Sequence, residues 1–288
     1  ARVAGLMPLF DRAIGRYLHL DVAGVRYRVY FEESGRGVPL LLQHTAGSDG
    51  RQWRHLLEDP WLTERFRVLA WDLPYHGKSL PPDGVTWWRQ PYRLTLAFFL
   101  DFIERFSREL ALSRPVFMGC SMGGHIAVDL ARFRPGLCRA VIGVEAASRT
   151  ESGSLDFLDH PRIGNDVKAD LMLGLTGPTA PEARRREIGW GYAQGAPSVF
   201  RGDLHFYGEE HDLRGEASRI DTSRTSVYVL SGEYDWSATP AASRELASEI
   251  PGAEFVFMPG LGHFPMAEDP DAFRGHLRPV LEKILAKE

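Results

Sequence analysis

Three short stretches hold residues whose types and spacing suit covalent acyl chemistry. In Gly119-Cys120-Ser121-Met122-Gly123-Gly124 a serine lies between glycines. The apolar run Pro115 to Met118 precedes it, and a helix-like stretch, Met122 to Phe133, follows. At a strand-to-helix junction of this kind the turn is tight enough to strain the serine's backbone. Glycines flank it because side chains there would collide. The hydroxyl is left at the positive end of a helix dipole. A serine hydroxyl is a weak nucleophile at neutral pH and needs a base. Among ten histidines, His263 in Gly260-Leu261-Gly262-His263-Phe264-Pro265 follows the strand-like run Glu254 to Met258. Loops at the carboxyl ends of strands are where an open α/β sheet builds its site. The base needs a carboxylate to orient it and to stabilise its cation. Asp235, in Ser231-Gly232-Glu233-Tyr234-Asp235-Trp236 after the run Ser226 to Ser231, is the expected acid. Glu145, after the run Leu137 to Val144, is the alternative, and Glu233 reads as structural.

Acyl transfer also needs N–H donors for the developing oxyanion. The backbone N–H of Met122 is one. The second is expected from His44-Thr45-Ala46-Gly47-Ser48, after the run Val38 to Gln43, with Ala46 preferred over Thr45. Cys120 reads as a small packing residue. His125 and His76 read as structural, His205 and His211 as solvated, and Arg184-Arg185-Arg186 as a solvated helix face. The chain has no His/Cys cluster with metal-ligand spacing and no glycine-rich phosphate loop, so neither a metal nor a cofactor is expected.

These residues need a scaffold that brings distant loops to one edge. Tyr17 to Glu32 alternates as a hairpin around Ala23-Gly24. The runs Val38 to Gln43, Phe66 to Trp71, Pro115 to Met118 and Leu137 to Val144 are short and apolar on both faces, the pattern of strands buried in a parallel sheet. Leu94 to Leu112 and Met122 to Phe133 carry helical periodicity between them. After Thr222 the alternation resumes: strand Ser226 to Ser231, helix Ala242 to Glu249, strand Glu254 to Met258, helix Pro270 to Ala286. The expected class is α/β, a mostly parallel central sheet of about eight strands flanked by helices.

Arg149 to Thr222 breaks the rhythm. It is rich in Gly and Pro, has no clear strand, and holds Trp190, Tyr192, Phe200, Phe206 and Tyr207. With 13 acids against 9 Lys/Arg it carries the chain's entire net charge of −4. So long a loop without structure of its own is uncommon. It reads as a helical cap, residues 149–222, inserted between core parts 1–148 and 223–288.

Of 288 residues, 44% are hydrophobic and 25% charged, which excludes a disordered chain. The balance of charge leaves no footprint for nucleic acid. Cys120 and Cys138 are too few for a disulfide framework. No stretch approaches a membrane span and no signal peptide is visible, so no membrane partner and a cytoplasmic location are expected.

The order Ser121, Asp235, His263 resembles the α/β-hydrolase superfamily's order of nucleophile, acid and base. Asp72-Leu73-Pro74-Tyr75-His76-Gly77-Lys78-Ser79 is similar to the family's Asp-x-x-Gly-x-Gly-x-Ser loop, and Gly232-Glu233-Tyr234-Asp235 to its acid loop. The resemblance covers roughly residues 17–148 and 223–286, and places the cap where the family carries one. Two departures stand out: Thr45 replaces the glycine that usually follows the histidine, and Tyr75 replaces a glycine. Members that cleave carbon–carbon bonds usually carry Asn where Cys120 stands. Members that open epoxides or remove halide use Asp where Ser121 stands.

The resemblance implies a serine hydrolase acting on a carboxylic ester, thioester, lactone or activated amide. Carbon–carbon hydrolysis, cofactor-free peroxidation and a non-catalytic receptor are the other readings. The partner is a small molecule, small to medium and substantially apolar, because Trp53, Trp87, Trp88, Trp190, Trp236 and Phe264 are expected near the mouth. Thr45 and Glu145 complete the candidate pocket. Oligomeric state is left open.

Overall fold

The computed structural model describes residues 9–150, 164–196 and 199–287. Parts of the expected cap, 151–163 and 197–198, lie outside the described residues. Eight strands form one sheet: β1 (Ile14–Val22), β2 (Val25–Gly35), β3 (Val38–Gln43), β4 (Phe66–Trp71), β5 (Val116–Cys120), β6 (Ala140–Val144), β7 (Ser226–Gly232) and β8 (Glu254–Met258). Their spatial order is β1-β2-β4-β3-β5-β6-β7-β8. The β1–β2 and β2–β4 pairs are antiparallel, and every pair from β4 onward is parallel. The central registers put Leu40 and Leu42 beside Val68 and Ala70 on one side and beside Val116 and Met118 on the other. All of these are buried, which is why these runs are apolar on both faces.

Among the described residues the helices are α1 (Arg54–Leu57), α2 (Pro60–Thr63), α3 (Leu96–Glu109), α4 (Met122–Phe133), α5 (Asn165–Leu173), α6 (Glu182–Ala193), α7 (Val199–His205), α8 (Pro240–Glu249), α9 (Pro265–Glu268) and α10 (Pro270–Leu285), the last two following β8. Helices α1, α2 and α9 span four residues each, about one turn, too short to show a period. On α3, Phe99, Phe102 and Phe106 are fully buried, the last two against Trp71 of β4. The hairpin turns at Ala23 (φ 50°) and Gly24 (φ 79°), two successive left-handed residues as a tight two-residue turn requires.

Boundaries shift where local hydrogen bonds compete with the pattern. The strand expected from Leu137 begins only at Ala140, because Leu137 N–H bonds back to Arg134 O and Gly136 turns at φ 87°. The helix expected over 94–112 spans Leu96–Glu109. Thr95 caps it by accepting from Phe98 N–H, and Ala111 leaves it at φ 52°. Between β6 and β7 the described residues form α5, α6, α7 and a π-helical turn at Phe206–Glu210. No helix among the described residues is long and apolar enough to cross a membrane.

Candidate active site

Ser121 links β5 directly to α4 at φ 58°, ψ −115°. A β-carbon on Gly119 would collide with the Gly123 backbone, and one on Gly123 would fall 2.6 Å from Gln43 O. Strand and helix are therefore as close as backbone allows. Ser121 N–H donates to Val144 O at 2.8 Å and Ser121 O accepts from His125 N–H at 2.9 Å. These bonds hold a backbone that costs roughly 1–3 kcal/mol in isolation.

In the loop after β3, the N–H groups of Thr45 and Ala46 are placed differently. Thr45 N–H and its hydroxyl both donate to Gln52 Oε1 at 3.1 Å, and the same hydroxyl lies 2.5 Å from the Tyr192 hydroxyl. The Thr45 N–H is thus occupied. Among the described residues, neither Ala46 N–H nor Met122 N–H meets a protein acceptor. Thr45 has no positive φ, so the position needs no glycine here. Tyr75 does sit in the left-handed region, at φ 73°, with its ring 4.7 Å from that of Tyr92. His44 beneath the loop accepts from Leu73 N–H at Nε2, which assigns its proton to Nδ1, 2.8 Å from Thr45 O. Burial, then the facing His76, pushes its pKa down to about 4, so it stays neutral.

His263 Nδ1 lies 2.8 Å from Asp235 Oδ2, both buried. Neither atom reaches a hydrogen-bonding angle with any partner, so the pair is close but off line. Such misalignment is ordinary before a substrate is bound. Asp235 Oδ1 accepts from Ser237 N–H at 2.7 Å. Glu145 stands behind this pair, fully buried at φ 53°, with Oε1 accepting from Gly232 N–H at 2.8 Å. Burial first, then the charge of Asp235, raises the Glu145 pKa well above the carboxylate range. Of the two candidate acids, then, Asp235 faces the imidazole. Glu268, buried at the start of the last helices, accepts from Gly262 N–H and from Gly177 N–H, tying the His263 loop to the segment between β6 and β7. Glu233 accepts from Gly260 N–H at 2.9 Å, a structural contact.

Sequence reasoning missed the residues that this segment contributes. The Ser121 hydroxyl is hydrogen-bonded to the Tyr207 hydroxyl, and no hydrogen bond joins Ser121 to His263. Tyr207 is buried, and burial raises its pKa well above 10, which keeps it a neutral donor. Asp203 of α7 is fully buried. It accepts from Gly47 N–H at 2.7 Å and from the Tyr92 hydroxyl at 3.1 Å, and lies 2.9 Å from His76 Nε2. His211, expected to be solvated, is fully buried instead, 2.9 Å from Asp129 of α4. His205 is half-buried, 3.6 Å from Glu210. The aromatic residues expected near the mouth divide by burial. Trp53 and Phe264 are fully buried, Phe264 with its ring 4.9 Å from His263, while Trp87, Trp88, Trp190 (62% exposed) and Trp236 (50% exposed) face outward. Trp190 stacks loosely on Arg51 at the surface. No signal of period or spacing singles out Tyr207 or Asp203, since their partners lie 86 and 127 residues away.

The His76–Asp203 pair gives a prediction. Burial opposes the imidazolium, but the Asp203 charge and hydrogen bond outweigh it and raise the His76 pKa. A raised histidine pKa stabilises the fold below the ordinary value of about 6.5, and that contribution fades as pH rises through the folded value. Asp203→Asn is expected to cost about 2 kcal/mol at pH 6, a fall in Tm of about 4–8 °C for a chain of this size. The gap from wild type should narrow at alkaline pH. Thermal melts of both proteins across pH 5–9 check it; a gap independent of pH would contradict the charged pair.

A mostly parallel eight-stranded sheet with a strained serine at the β5–α4 turn defines the α/β-hydrolase class. The chain belongs to the alpha/beta hydrolase family, whose model matches residues 40–275. It is similar to the dihydrolipoyllysine-residue acetyltransferase component of the acetoin cleaving system of Cupriavidus necator, 36% identical over 274 residues, covering 93% of this chain and 70% of the relative. Among solved structures it resembles a thermophilic esterase from Thermogutta terrifontis (TM-score 0.80, 22% identity, covering 93% of this chain and 99% of that one). It also resembles the enol-lactonase from Burkholderia xenovorans (TM-score 0.77, 26% identity, covering 92% and 100%).

Proposed function

We propose that the protein is a serine hydrolase that cleaves a carboxylic ester, or a related thioester, lactone or activated amide, through an acyl-enzyme intermediate. The observation that carries this reading is Ser121 at φ 58°, ψ −115°, in the β5–α4 turn and on the same sheet edge as the His263–Asp235 pair. In this reading Ser121 Oγ attacks the acyl carbonyl while His263 Nε2 takes its proton. The Ala46 and Met122 N–H groups receive the oxyanion. Asp235 holds the Nδ1 proton and stabilises the imidazolium. His263 then protonates the leaving alcohol, and a water activated by the same nitrogen releases the acid. The 26%-identical enol-lactonase and the esterase neighbour are in keeping with carbonyl chemistry at this site.

The segment between β6 and β7 acts as a lid. With its hydroxyl on Ser121, Tyr207 must withdraw before an acyl group can reach the serine. Once the tetrahedral intermediate forms, the same neutral hydroxyl is a donor beside the reacting oxygens. Tyr207→Phe is therefore expected to lower kcat by about 10²-fold, the usual loss for one such donor, with KM little changed. Steady-state kinetics decide it: a rise in kcat would mean that Tyr207 only blocks the serine.

The reading is tested by hydrolysis of p-nitrophenyl esters from acetate to decanoate together with labelling by a fluorophosphonate. Turnover and a mass adduct on Ser121 are expected. Absence of both would overturn it.

A further inference from the structure

Glu268, the last residue of α9, is fully buried. Its two carboxylate oxygens take backbone N–H groups from two distant parts of the chain. Oε1 accepts from Gly262, the residue before His263, and Oε2 accepts at 3.0 Å from Gly177, between α5 and α6. The same two pieces of backbone meet again beside it. His263 N–H donates to Leu175 O at 2.9 Å, and a β-carbon on Gly262 would fall 2.5 Å from both Gly177 N and Leu175 O. The loop of the histidine and the segment between β6 and β7 are thus fastened by hydrogen bonds at successive residues, two of them on one carboxylate.

Two N–H donors need two acceptors. A carboxylate offers one at each oxygen, whereas a protonated carboxyl or an amide turns one end into a donor that faces an N–H. Among the described residues no lysine or arginine pairs with Glu268, so its charge rests on those N–H groups. Burial raises its pKa to about 7, against the two N–H bonds and the nearby His263, with Asp235 adding to the rise. Charged groups on the elements packed against α9 have partners of their own: Arg185 of α6 donates to Thr176, Arg51 is held by Asp49, Arg54 by Glu187, His55 accepts from Arg184, and Arg274 of α10 meets Asp59 and Asp271.

We infer that Glu268 is a positioning residue for the proposed hydrolysis: as a carboxylate it clamps the loop of the base His263 to the segment between β6 and β7, and on taking a proton it lets go of one of them. This rests on the acyl reading, with His263 as base. His263 and Ser121 stand on separate loops, so the reach between them depends on where the Gly262–His263 backbone is held, and a displacement of about 1 Å can cost about 10²-fold in rate. Activity and stability should then move in opposite directions. Hydrolysis should gain as pH rises through about 7 and the clamp forms. Stability should fall over the same range. A carboxyl whose folded pKa is raised above its ordinary 4.5 favours the fold most below that ordinary value and loses this contribution as pH rises through the folded one. A contact with a structural role alone would move both together.

Glu268→Gln fixes the one-armed state at every pH and is compared with wild type from pH 5 to 9. On p-nitrophenyl butyrate its kcat/KM is expected about 10- to 100-fold below wild type at pH 8.5, with the gap closing toward pH 5.5. The acid limb of log kcat/KM should have a slope of about 2 in wild type, one step for His263 and one for Glu268, and about 1 in the variant. In thermal melts over the same range the variant should gain on wild type as pH rises. A kcat/KM gap independent of pH, or a Tm deficit that grows as the variant's activity falls behind, would overturn the inference. Wild type alone supplies a further measurement: hydrogen-exchange protection of the Gly177 and Gly262 amides should rise as pH passes about 7. Flat protection would overturn the inference even if the variant failed to fold. If wild type hydrolyses no ester and is not labelled, the acyl reading fails, while exchange and melts still decide whether Glu268 is a clamp.

Discussion

Ser121→Ala is expected to abolish ester hydrolysis, with kcat falling by about 10⁴- to 10⁶-fold, as when a nucleophilic serine is removed elsewhere. The loss follows from position. Ser121 is the residue of the β5–α4 turn, and the hydroxyl bonded to its Oγ among the described residues is that of Tyr207. Tyr207 cannot substitute, because burial keeps it protonated. Cys120, the adjacent thiol, is fully buried, donates to His263 O at 3.2 Å, and has its pKa raised by burial and by surrounding carboxylates. Alanine leaves the backbone bonds to Val144 and His125 intact, so the substituted protein should fold. Circular dichroism and kinetics on p-nitrophenyl butyrate, with fluorophosphonate labelling in parallel, measure this. Turnover that survives in a folded Ser121→Ala protein would remove the serine from the mechanism.

Asp235→Asn is expected to lower kcat by about 10⁴-fold, the loss known for the same change in a serine protease. The cause is the imidazole's tautomer. An amide at this position offers an N–H to Nδ1, which moves the ring's proton to Nε2 and leaves no acceptor for the serine. Glu145→Gln makes the contrast. Burial and the Asp235 charge hold Glu145 neutral, so a neutral amide replaces a neutral acid. Its Oε1 contact with Gly232 N–H can be kept. The loss there is expected to stay within about 10-fold, or roughly 1.4 kcal/mol. If Glu145→Gln proved the more damaging change, the acid would have to be reassigned. A normal Tm in both proteins keeps the comparison on catalysis.

Much of this fold was legible because its strands are short and buried on both faces. Leu40 to Leu42, Val68 to Ala70 and Val116 to Met118 have little freedom to be anything else. The Gly-x-Ser-x-Gly turn was legible for a similar local reason: Gly119 and Gly123 are demanded by contacts within a few residues and with the neighbouring strand. Boundaries were less so. The start of β6 and the ends of α3 were set by single turn bonds and caps, at Leu137, Thr95 and Ala111. Which N–H of the loop after β3 is occupied depends on Gln52, whose side chain takes that of Thr45. Which carboxylate lies beside His263 depends on the direction of one imidazole.

The region least legible was Arg149 to Thr222. Its aromatic residues were visible, but not which would turn inward. Trp190 went to the surface and Tyr207 to the serine, although both are aromatic residues of the same segment. A lone histidine in a polar stretch carries no pattern, yet His211 is buried, because its partner Asp129 lies in another element.

By itself the sequence determined the α/β class and the order of its strands along the chain, and it set Ser121, Asp235 and His263 in turns just after strands. Those follow from hydrophobic period and from turns whose constraints are local. Tertiary structure alone decided what covers the serine, which carboxylate lies beside the imidazole, and that His211 is buried against Asp129. These depend on contacts between residues far apart in the chain, for which no periodicity exists, and on burial, which sets charge only once the segments have come together.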